Sequence, residues 1–85
     1  MDIEFTVKRT AYFDLEQAYE DYYTILDFDP NKDPDSAIYD AVEENIGWPL
    51  GQDEYPNEVV EIAAKTLRQQ IGGVQMRMEL NEYEN

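Results

Sequence analysis

The negative charge of this 85-residue chain is confined to its middle. Residues 14–61 hold fifteen Asp and Glu against Lys32 alone, and that stretch accounts for the whole formal net charge of −14. Residues 1–13 balance Asp2 and Glu4 with Lys8 and Arg9, and residues 62–85 balance Glu79, Glu82 and Glu84 with Lys65, Arg68 and Arg77. Like charges directly opposite each other destabilise a sheet, so the two neutral ends suit paired strands. Their patterning agrees. Ile3, Phe5 and Val7 alternate with Glu4, Thr6 and Lys8, a run that Thr10-Ala11-Tyr12-Phe13 can extend, and Val74, Met76, Met78 and Leu80 alternate with Gln75, Arg77 and Glu79.

The acidic middle reads as three helices. Asp14 can cap the first, with Gln17 as its capping-box partner, and Leu15, Ala18, Tyr19, Tyr22 and Leu26 form an apolar stripe. The segment Asp27–Lys32 reads as a loop, and Asp33 with Pro34 then opens a second helix, with Ile38, Ala41 and Val42 inward and Gly47 just past its end. Trp48-Pro49-Leu50-Gly51 connects to a third helix that opens at Pro56 or Asn57. Its inward residues are Val59, Ile62, Ala63, Thr66 and Leu67, and Gly72-Gly73 should end it. The expected fold is a single α+β domain over residues 1–85, a two-stranded sheet from the N- and C-terminal strands with three helices between, in the order β-α-α-α-β. A two-stranded sheet is marginal alone, and pairing across a two-fold axis would give four strands, which makes a homodimer a reasonable assembly.

Composition removes whole classes of function. Hydrophobic residues at 42% and aromatics at 13% supply enough apolar area to fold, so the charge does not imply disorder. With no Cys and no His there is no disulfide, no thiolate nucleophile, no Ser-His-Asp triad and no Cys- or His-based metal site. Abundant acids generate carboxylate pairs by chance, but a paired-carboxylate hydrolase also needs a substrate pocket that an 85-residue core leaves little room for, so no enzyme is expected. The run Asp27-x-Asp29-x-Asn31-Lys32-Asp33-x-Asp35 begins like a calcium loop. It fails where the sharp turn needs Gly and has Lys32, and again where a bidentate Glu is needed and Ile38 stands. It reads as an acidic turn; neither metal nor cofactor is expected. The opening Met-Asp-Ile-Glu-Phe is acidic and no long apolar run follows, so neither a signal peptide nor a spanning helix is expected, and the cytoplasm is the expected setting.

The acids differ in what explains them. Glu58 and Glu61 precede Lys65 and Arg68 on the third helix, an arrangement that complements the helix dipole and offers a Glu61–Lys65 pair. Helices one and two lack such partners. Glu16 and Glu20 share a face, as do Asp40, Glu43 and Glu44, and like pairs at this spacing cost a few tenths of a kcal/mol each, so folding alone gives no reason to keep them. Carboxylates on one helical face lie about 5–6 Å apart, near the spacing of successive phosphates, and Asp27, Asp29, Asp33 and Asp35 would continue the row. The candidate partner-binding residues are therefore Glu16, Glu20, Asp21, Asp27, Asp29, Asp33, Asp35, Asp40, Glu43 and Glu44. Tyr23, Tyr39 and Trp48 are the aromatic candidates for cation–π anchors, among further interleaved rings at Tyr19, Tyr22, Phe28 and Tyr55. A general solubility or high-salt adaptation would spread acids over the whole surface, whereas here both ends are neutral.

In size, charge and layout the chain resembles the small acidic inhibitors of bacteriophages and mobile elements that look like DNA: anti-restriction proteins, anti-CRISPR proteins and uracil-DNA glycosylase inhibitors. The resemblance is compositional, covers residues 14–61 and carries over no individual residue. Those groups have unrelated folds, so it implies a mode of action and no topology. It implies a non-enzymatic inhibitor that occupies the basic nucleic-acid groove of a host enzyme or regulator, in the host cytoplasm if the chain is phage-encoded. Direct binding to nucleic acid or to anionic membrane is disfavoured by charge. The other reading is a small acidic structural or adaptor protein that docks a basic protein without imitating nucleic acid.

Overall fold

The computed structural model describes residues 1–6, 9–51 and 56–83, with side-chain surroundings through residue 72. Val7 of the N-terminal strand and Tyr55 of the aromatic set lie outside the described residues. Strand β1 (Asp2–Thr6) pairs antiparallel with β2 (Arg9–Phe13), placing Ile3 opposite Ala11 and Thr6 opposite Arg9, with an irregularity between Glu4 and Thr6. Period-two alternation does its expected work here. Ile3, Ala11 and Phe13 are buried on one face while Glu4, Thr10 and Tyr12 stand outside.

The first two helices start where their caps are written. Helix α1 (Leu15–Phe28) begins at Asp14, whose carboxylate accepts the backbone N–H of Gln17 at 3.1 Å. The reciprocal half of a capping box is absent, because the N–H of Asp14 donates to the carbonyl of Asn45 and the Gln17 amide turns to Asp21. Helix α2 (Pro34–Glu44) begins at Asp33, which accepts the N–H of Ser36, with Pro34 in the first turn where its missing N–H costs nothing. It ends at Asn45. Gly47 then belongs to strand β3 (Ile46–Gly47), which pairs antiparallel with β2 through Tyr12–Gly47 and Phe13–Ile46.

Two expectations are corrected. The fold is α+β with three helices, but the sheet has three strands in the order β1-β2-β3, and the chain runs β-β-α-α-β-α. The C-terminal segment is not a strand: helix α3 (Asn57–Tyr83) continues through Gly72 and Gly73 and carries Val74, Met76, Met78 and Leu80. The physical reason lies in the composition of that segment. Gln75 to Leu80 are all good helix formers, Val74 is their sole β-branched neighbour, and each interior Gly costs about 1 kcal/mol, too little to stop an established helix. The sheet partner comes instead from the N-terminal run folding back on itself. The dimer expectation rested on a two-stranded sheet; β1 also contacts α3, so the sheet is backed within one chain.

The core gathers Ile3, Ala11 and Phe13 from the sheet, Ala18 and Tyr22 from α1, and Ala37, Ile38, Ala41 and Val42 from α2. Helix α3 adds Val59, Ala63, Ala64, Leu67 and Ile71. Six of these are alanines, and the five on the helices let the three helices approach closely, while Phe13 and Leu67 are the largest side chains fully enclosed. No helix of the described residues is long and apolar enough to cross a membrane.

Candidate functional site

The candidate carboxylates fall into two groups. Asp21, Asp29, Asp33, Asp35 and Asp40 are already engaged by donors or cations within the fold. Asp21 accepts from the Gln17 amide at 2.9 Å and from the Asn45 amide at 2.8 Å, joining α1 to the end of α2, and those two bonds, Asn45 first, hold its carboxyl below the usual range. Asp29 accepts the N–H of Asn31, and Asp33 caps α2. Asp40 lies 2.7 Å from the Lys32 ammonium, which it holds above the ordinary lysine range, and Asp35 lies 3.7 Å from Nε of Arg68. Both ion pairs are exposed, so solvent screens them and neither adds much to stability.

Glu16, Glu20, Asp27, Glu43 and Glu44 are different. All five are exposed, and none of their carboxylates meets a hydrogen-bond donor or a cation among the described residues. At the helical repeat, Glu16, Glu20 and Asp27 fall within about 40° of one another on α1, opposite the buried Ala18 and Tyr22. They form one solvent-facing stripe. Beside it, Glu16 and Glu20 border a shallow groove of about 440 Å³ shared with Leu15, Tyr19 and Gln70. On α2, Glu43 borders a smaller hollow of about 190 Å³ with Ile46, Trp48, Asn57 and Val60. The row expected through the loop is thus interrupted by bonded acids at Asp29, Asp33 and Asp35, while the stripe on α1 stands clear.

The aromatic candidates are all half-buried against the core. Tyr23 packs edge-on against Tyr19 and Tyr22 at 5.0 and 5.1 Å, and burial, with the Tyr19 hydroxyl second, pushes its phenol up. Trp48 meets Phe5 edge-on at 5.9 Å. Tyr39 already carries a cation, with the Arg68 guanidinium 5.4 Å from its ring centre, and its hydroxyl donates to Glu61. That bond engages Glu61, and no Glu61–Lys65 pair forms among the described residues. The most exposed ring among the described residues is Phe28, 92% accessible at the end of α1. The sequence held a signal for it: at the helical repeat Phe28 falls off the Ala18–Tyr22 stripe.

The chemistry of this surface is anionic, with shallow, partly apolar hollows beside the carboxylates. No protein-family model, curated protein or solved structure matches the chain.

Proposed function

We propose that this chain is a non-enzymatic inhibitor that imitates the charge of nucleic acid and occupies the basic groove of a nucleic-acid-binding protein. The observation that carries this reading is the stripe of Glu16, Glu20 and Asp27, exposed and without a cationic partner among the described residues. Glu16 and Glu20 repel each other at i,i+4, a small standing cost that is offset only when an external cation meets them. Association would be fast and steered by charge, and would weaken as salt screens it.

The experiment is a retention assay on the immobilised chain at low salt with a panel of basic DNA-binding proteins. Retained protein should be released by duplex DNA, and the triple variant Glu16→Lys, Glu20→Lys, Asp27→Lys should retain none while keeping its helical circular dichroism. Full retention by a folded triple variant would sink the reading. Release by salt but not by DNA would favour the acidic adaptor, whose partner need not bind nucleic acid at the same surface.

A further inference from the structure

Phe28 contributes almost nothing to the fold, since it buries little apolar area, yet it closes α1 with its ring in solvent. It borders a groove of about 430 Å³ with Thr24, Ile25, Asp29 and Lys32. Two features fix the chemistry of what this groove can take. The first is charge: Asp29 lines the groove with Phe28, Asp27 precedes the ring in the last turn of α1, and the one cation lining the groove, Lys32, is engaged by Asp40 at 2.7 Å. The second is the helix itself. The carboxyl end of α1 carries the negative pole of the helix dipole, where a basic residue is usual, and the last turn has none while Asp27 stands within it and Asp29 caps it. A cation supplied from outside would relieve both.

We propose that Phe28 and its groove receive an arginine side chain from a basic segment of a protein partner, the guanidinium stacked on the ring beside Asp29 at the acidic end of α1. Arginine fits better than lysine, because its planar, weakly hydrated group stacks on an aromatic face and forks onto carboxylates, whereas an ammonium is a strongly hydrated point charge. The inference rests on the inhibitor reading and adds the desolvated anchor that salt-screened carboxylates lack.

The test uses labelled oligoarginine and oligolysine peptides of equal length, titrated with the full chain over a range of salt concentrations. The wild-type chain should bind oligoarginine more tightly. Phe28→Ala should weaken oligoarginine binding by about two- to five-fold, the equivalent of an exposed cation–π contact, and remove the preference without changing the salt dependence. Phe28→Leu, which keeps apolar area but no π face, should lose the preference too. An unchanged preference in both variants would overturn the proposal. The double variant Glu16→Lys, Glu20→Lys separates this from the wider reading: it should weaken both peptides alike with the arginine preference intact. If the double variant binds both peptides as the wild type does while Phe28→Ala still erases the preference, the anchor stands and the acidic stripe falls.

Discussion

The hydroxyl of Tyr39 on α2 donates to the carboxylate of Glu61 on α3, with its oxygen 3.0 and 2.9 Å from the two acceptor oxygens and 22 residues between them in the chain. The same ring carries Arg68, which also reaches toward Asp35, so one tyrosine ties α2 to α3 through both its edge and its face. Tyr39→Phe removes the hydrogen bond and keeps the ring. It should cost about 0.5–1.5 kcal/mol in urea denaturation. Glu61→Ala should cost a similar amount, and the two should not add, because each deletes the same bond. Additive losses would mean that the bond contributes nothing in solution.

Gly72 lies inside α3, and a Cβ built there meets no atom within 4 Å. Gly72→Ala should therefore stabilise the domain by about 0.5–1 kcal/mol, through the helix and the unfolded chain alike. A glycine ending the helix in a left-handed conformation would give the opposite sign, so the direction of the change in denaturation midpoint reports whether α3 passes this point.

Glu20→Lys exchanges a repulsive i,i+4 pair with Glu16 for an attractive one. A gain of about 0.5 kcal/mol is expected at low ionic strength, shrinking as salt is added. The same variant should retain a basic partner less well. A surface whose improvement for folding is a loss for binding is the signature expected of a functional stripe; a gain in both would argue for an adventitious one.

Asp21 titrates below the ordinary carboxylate range because Asn45 and Gln17 hydrogen-bond its charged form. A depressed folded-state value means that its contribution to stability is fully present above the unfolded value of 3.8 and is lost as pH falls through the folded one. Carboxylate NMR should place the Asp21 midpoint below that of Asn45→Ala, in which it should rise toward the unfolded value. The stability difference between wild type and Asn45→Ala should narrow in acid. A midpoint unmoved by Asn45→Ala would remove the α1–α2 bond from the account.

The starts of α1 and α2 and most of the inward-facing residues were legible in the sequence alone. Asp14 and the Asp33-Pro34 pair start α1 and α2 because a cap acts on N–H groups within three residues, and Ile3, Ala18, Ile38 and Leu67 face inward because the helical and strand repeats fix neighbouring side chains. The location of the charge, and its absence from the sheet-forming N-terminus, were likewise legible. Only the tertiary structure decided which strands pair, since Val74–Leu80 satisfies both repeats and Ile46–Gly47 has no strand signal until Tyr12 and Phe13 lie beside it. It also decided which acids are engaged. Asp21 finds Asn45 across 24 residues and Glu61 finds Tyr39 across 22, contacts set by how helices pack and not by what stands next in the chain. Glu16, Glu20 and Asp27 remain open, and Phe28 faces water, because the face of α1 that packs against α2 and α3 is the one bearing Ala18 and Tyr22.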